Sequence, residues 1–99
     1  MLKKILQSLG LAKKKTVRTD KPIGGVTHFY GHLGVAIVKF NRDISTGSKL
    51  TFVGPTTDFS QTADSMQMDH KPTTQAPKGK EVGIKVKDKV REGDQVYLD

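Results

Sequence analysis

The sequence predicts a small all-β domain, an antiparallel β-barrel of six to seven short strands, and three observations carry that expectation. One phrase of seven residues occurs three times: an apolar residue, two others, a glycine, two others, an apolar residue. The copies are Ile44–Leu50, Ala76–Val82 and Val90–Val96. Each reads as a turn with glycine at the position where an L-residue would be penalised for positive φ, and each launches an alternating strand. No helical period runs through residues 22–99, where short apolar alternations are broken by glycine and proline. Finally, 99 residues allow one domain with a modest core.

In chain order, Leu2, Ile5, Leu6 and Leu9 fall at i, i+3, i+4 and i+7, one face of a helix, with Lys3, Lys4, Gln7 and Ser8 opposite and Gly10 as its stop. So short a helix is marginal in water and needs something to fold against. Lys13–Asp20 has no period and reads as a linker. Residues 1–21 therefore form a basic tail, helical or flexible. A secretory signal is not expected, because Gln7 and Ser8 interrupt the apolar centre and Lys13-Lys14-Lys15 sits where small residues are required. No run approaches the roughly 20 apolar residues that span a bilayer.

The barrel, residues 22–99, begins after Pro22. Ile23–Tyr30 reads as a strand in which Gly24 and Gly25 allow a bend. Gly31-His32 makes a tight connection to Leu33–Phe40, whose two apolar faces place it centrally in a sheet. The first glycine phrase leads into Leu50–Val53, stopped by Gly54-Pro55. Asp58–Met68 reads as one longer polar strand with Asp64, Met66 and Met68 on a common face. Lys71–Gln75 is confined to an edge by Pro72. Val82, Ile84 and Val86 alternate with Gly83, Lys85 and Lys87, the pattern of a half-buried strand. Val96-Tyr97-Leu98 closes the domain.

Charge and chemistry bound the function. The net charge is +7, and residues 1–21 hold seven cations against Asp20 alone, so the tail is strongly basic and the body nearly neutral. A basic arm on a neutral body suits an anionic partner, although such a run also serves as a solvated extension. The candidate nucleic-acid contacts are Lys3, Lys4, Lys13, Lys14, Lys15, Arg18 and Lys21, joined by Lys85 and Lys87 on the outside of their strand. The absence of cysteine excludes disulfides, thiolate metal sites and cysteine nucleophiles. His28, His32 and His70 with Asp69 are the remaining metal-type ligands, and their spacing on strands and turns does not converge; no metal site is expected. Asp69-His70-Lys71 reads as a hydrogen-bonded bend or a partner contact, because neighbours on a strand point to opposite faces and no second catalytic group accompanies them. Met66 and Met68 read as core filling. No phosphate-binding loop of the Gly-x-x-x-x-Gly-Lys-Ser/Thr type occurs, so no nucleotide and no cofactor are expected.

Three stretches give the body a family likeness: Gly34–Leu50; Ser65–Lys71 followed by Ala76–Ile84, with its Ala-x-x-Gly-x-x-Val-Gly strand; and Val90–Val96. From Pro22 onward the chain resembles the second domain of translational GTPases such as elongation factor Tu, a compact β-barrel. It is also similar to small stand-alone elongation-factor-like proteins and to the C-terminal barrel of collagenase-like peptidases. In both of these a stretch like Gly54–Phe59 precedes Gln61-Thr62 and a Met-Gln-Met-Asp-His-Lys bend. The resemblance implies a barrel, a translation or RNA context, and no catalytic residue. The resulting expectation is a non-enzymatic, cytoplasmic binding module contacting RNA or a ribonucleoprotein. The alternatives are a protein-interaction adaptor related to the peptidase barrel, or peripheral membrane attachment through the tail.

Overall fold

The computed structural model describes residues 21–99. The predicted tail helix, the linker and the tail cations other than Lys21 lie outside the described residues.

The glycine phrase has one physical meaning in all three copies. Its second residue accepts a hydrogen bond from its fifth: Ser48 N to Ser45 O at 3.2 Å, Lys80 N to Pro77 O at 3.1 Å, and Asp94 N to Arg91 O at 3.0 Å. The glycine between them is left-handed, with φ of 91° at Gly47, 80° at Gly79 and 93° at Gly93. That is a type II turn, whose third position requires φ > 0. The apolar residues at both ends of every copy, Ile44, Leu50, Ala76, Val82, Val90 and Val96, are buried.

Between these turns run ten strands, with no helix among the described residues. They are β1 (Gly24–Tyr30), β2 (Val35–Phe40), β3 (Ile44–Ser45), β4 (Lys49–Gly54), β5 (Thr57–Thr62), β6 (Met66–Met68), β7 (Lys71–Thr73), β8 (Gln75–Ala76), β9 (Glu81–Lys85) and β10 (Gln95–Leu98). Eight form one antiparallel sheet in the order β5-β4-β10-β1-β2-β9-β6-β7. The other two, β3 and β8, pair with each other, so Ile44 of the first phrase sits opposite Ala76 of the second. As the sequence predicts, β2 is central and β7, with Pro72, is an edge.

The expected closed barrel of six to seven strands needs correction. The sheet is longer, and among the described residues no ladder joins its two edges. It is nevertheless rolled. Residues 63–65 alone connect β5 at one edge to β6, next to the other. In a flat sheet those strands would lie about 29 Å apart, whereas four residue steps reach at most about 14 Å. The seam is bridged by a side chain: Gln61 Nε2 donates to Lys85 O at 2.7 Å, and Lys87 N donates to Gln61 Oε1 at 2.8 Å. A side-chain amide offers the same donor and acceptor as a peptide group, so Gln61 supplies a bridge where no ladder forms. The predicted single strand over 58–68 is broken for the same reason. Ala63 turns inward, fully buried, and bonds the first phrase through Ala63 N to Ser48 O and Gly47 N to Ala63 O. Asp64 is therefore outside any strand and exposed.

The core lies inside the roll. Phe40, Leu50, Phe52, Val38, Val82 and Ile84 are fully buried, each worth about 1.5–3 kcal/mol relative to exposure. Phe59 stacks on Phe52 with ring centroids 5.1 Å apart. Met66 is buried and Met68 packs against the core, as read from the sequence. Between β1 and β2 the register shifts at Val26/His28, a β-bulge with Thr27 as the extra residue.

A Cβ built on Gly47, Gly79 or Gly93 meets nothing within 4 Å, so a substitution there is resisted by backbone conformation alone. Gly47→Ala, Gly79→Ala and Gly93→Ala should each cost about 1–2 kcal/mol in urea unfolding, with similar values and an unchanged denaturant slope.

Candidate protein-interaction surface

The Asp69-His70-Lys71 stretch lies on an exposed hairpin tip. Met68 and Lys71 pair directly, leaving Asp69 and His70 as a two-residue loop between β6 and β7. Both have positive φ, 55° and 65°, the signature of a type I′ turn. Asn-Gly is the favoured pair there, and a left-handed side-chain residue costs about 1–2 kcal/mol. Asp and His tolerate the region better than most residues.

The three histidines are apart. His28 Nδ1 lies 3.1 Å from Glu92 Oε2 and its ring sits 4.8 Å from that of Tyr30. His32 is exposed in the β1–β2 loop and His70 is on the β6–β7 tip. No group of three or more His, Asp or Glu able to hold a metal ion gathers among the described residues.

Of the proposed nucleic-acid contacts, Lys3, Lys4, Lys13, Lys14, Lys15 and Arg18 fall outside the described residues. Lys21, Lys85 and Lys87 are exposed. Lys85 is not a free cation: its Nζ donates to Leu33 O at 2.8 Å, clamping the β1–β2 loop, while Val86 N donates to Gly34 O at 2.9 Å. Lys85 and Lys87 line separate hollows beside that loop.

Sequence reasoning missed Asp94. It is 2% exposed, and its Oδ2 accepts from Thr57 Oγ1 at 2.5 Å and from Arg91 N at 2.8 Å. Its backbone completes the site, with Val26 N donating to Asp94 O at 2.8 Å. A Cβ on Gly54 would stand 1.9 Å from Asp94 Oδ1, so glycine at position 54 makes room for this carboxylate. The readable signals were the Gly-Asp step inside the third phrase and a threonine three residues after Gly54. Above Asp94 a cleft of about 590 Å³ opens between the β4–β5 turn and residues 88–91. Its walls carry Asp58 and Asp88 against Lys89 and Arg91, so the cleft is balanced in charge rather than selective for anions.

The fold is one already seen at the C-terminus of a larger protein. The chain superimposes with a TM-score of 0.74 on the crystallised C-terminal domain of a Geobacillus thermoleovorans protein assigned to the U32 peptidases, at 19% identity, over 86% of this chain and 99% of that one. The selenomethionine form of that domain gives 0.73 at 21% identity, over 79% and 99%. In sequence, the chain is 40% identical over 77 residues to an uncharacterized protease of Methanocaldococcus jannaschii, covering 77% of this chain and 19% of that protein. It thus spans about a fifth of the length of that curated relative. No family model matches the chain. These findings overturn the elongation-factor likeness and, with it, the translation and RNA reading; the likeness to the peptidase barrel is the part they support. The misleading signal was turn chemistry. Gly-x-x-Val-Gly and its companions encode type II turns entering buried strands, which a rolled sheet needs whatever it binds.

Two tests separate conformation from contact. D69N/H70G should stabilise the fold by about 1 kcal/mol, because both residues then suit a type I′ turn. At Asp94, Asp94→Ala strands the Thr57 hydroxyl and Arg91 N–H and should cost about 2–4 kcal/mol. Gly54→Ala should cost more than any of the three turn glycines, read in the same urea titrations.

Proposed function

We propose that this chain is a non-catalytic protein-interaction module that docks on a peptidase-type catalytic chain. The observation that carries this reading is the 40% identity to a stretch making up 19% of a protease, whose remaining length is ample for a separate catalytic domain. The described residues support binding over chemistry. His28 is engaged with Glu92 and Tyr30, and His32 and His70 sit on separate loops, so none stands beside a nucleophile in the way acid–base catalysis requires. We also read the rolled sheet as barrel-like, with Gln61 bridging its seam, so that the module presents a rigid surface to its partner.

The purified chain should hydrolyse neither gelatin nor casein. Cross-linking in nuclease-treated lysate should recover a protein of peptidase sequence, in equal yield with and without nuclease. Partners that disappear on nuclease treatment, or intrinsic hydrolysis by the pure chain, would overturn the reading.

A further inference from the structure

An antiparallel sheet that covers a core on one side ordinarily turns polar residues to the other. This one departs from that rule at one end. On β2, Ala36, Val38 and Phe40 face the core, and the outward positions Val35 and Ile37 are apolar and only half-buried. Opposite Ile37 on β9 stands Gly83, with no side chain to cover them. A Cβ there would lie 3.2 Å from Val35 Cγ1 and 3.6 Å from Ile37 Cδ1, so both side chains lean over the glycine backbone. Beside them a groove of about 500 Å³ is lined by Leu33, Val35, Gly83, Gln67, Ser65 and Lys85.

The β-bulge extends this face onto β1. Val26 points into the core opposite Val38. Without an extra residue, His28 and Tyr30 would follow it inward, because side chains alternate with a period of two. Thr27 reverses the parity: Phe29, opposite Ala36, packs against the core, while His28 and Tyr30 turn out. Re-aiming side chains is a characteristic use of bulges. Tyr30 is 46% exposed and Leu33 61%, the two exposed large hydrophobics of the described residues. An aromatic beside an aliphatic on a rigid hairpin is the composition of an interface anchor.

The surrounding charge selects the partner. Around this end Lys85, Lys87 and Lys89 stand against one carboxylate, Asp88, whose Oδ1 accepts from Lys89 N, while Glu92 faces His28. Lys87 and Lys89 flank the base of the β1–β2 loop, sharing a hollow with Phe29, Gly31 and Gly34. On the other flank Lys85 is clamped to Leu33 O.

We propose that the outer face of β1, β2 and β9, centred on Tyr30 and Leu33, is the docking surface of the module, and that it takes a protein segment combining aliphatic or aromatic side chains with carboxylates. This rests on the interaction-module reading and names its surface and the chemistry of its partner. The apolar side chains enter the groove over Gly83, and the carboxylates meet the lysines at its rim.

The test titrates the isotope-labelled full chain with short peptides that alternate glutamate with leucine and phenylalanine, followed by amide NMR shifts. Shifts should concentrate in residues 28–37 and 83–89, and affinity should fall about tenfold between about 50 mM and about 500 mM salt. The lysine counterpart and a glutamate–serine peptide should leave those amides unmoved. The double variant Tyr30→Ser/Leu33→Ser should bind at least about tenfold more weakly, with the thermal midpoint of the parent because both side chains are exposed. Equal binding by the lysine peptide, or shifts confined to other faces, would overturn the proposal. A photo-reactive residue at position 30 should capture the peptidase-type chain and one at position 45 should not. Capture only from position 45 would sink this surface and leave the module reading standing; capture from neither would sink both.

Discussion

The hydrogen bond from each turn glycine to a carbonyl distant in sequence is the constraint on which the architecture rests. Gly47 N donates to Ala63 O at 2.9 Å, Gly79 N to Phe40 O at 2.8 Å, and Gly93 N to Val26 O at 2.8 Å. Each turn therefore does two jobs. It reverses the chain through a left-handed residue, and it aims the glycine N–H at a carbonyl far away in sequence. An L-residue could supply the same N–H, but only at the conformational cost of positive φ. The first two phrases also pair with each other through β3 and β8, and the third holds β1 against β10. A repeat that looks like punctuation is a set of three joints.

These joints help an eight-stranded sheet cover a small core with no ladder between its edges. The three-residue crossing from β5 to β6 forces the roll. The pairing of Ala63 with the first phrase and the bond from Lys85 N to Ser65 O fix the crossing on both sides. Gln61 then spans the seam, and Asp94 ties the β4–β5 turn to the third phrase from within. Buried carboxylates are costly unless their acceptor sites are used, and here a hydroxyl and a backbone N–H converge on one oxygen. The absence of a side chain at Gly54 is part of that arrangement.

Much of this was legible in residue patterns, and the exceptions share a cause. Alternation placed Val82, Ile84 and Val86 inward and Lys85 and Lys87 outward, as found. The doubly apolar β2 is central, and Pro72 lies on an edge strand, because both features reflect local rules. What was illegible depends on partners remote in sequence. The break at Ala63 follows from its pairing with Ser48 and Gly47; the seam at Gln61 depends on Lys85 and Lys87; Asp94 reads as an ordinary turn residue until Thr57 is brought beside it. The bulge at Thr27 was hidden for the same reason, since parity along β1 shows only against the register of β2. Function was misread where turn chemistry was taken for kinship.

The internal closure also decides where recognition can reside. The inner face is filled: Phe40, Leu50, Phe52, Val38, Val82 and Ile84 have no exposed surface left to contribute to a partner. In the proposed docking role, affinity comes from the outer face, where an antiparallel sheet is ordinarily polar. Tyr30, Leu33, Val35 and Ile37 are there because β1 changes parity at Thr27 and β9 carries glycine at position 83. The bulge also keeps Phe29 against the core, and a Cβ at position 83 would press on Val35, so both features serve packing while they leave this end of β2 uncovered. Their coincidence on one end of one face, beside Lys85, Lys87 and Lys89, gives the proposed surface its apolar centre and basic rim.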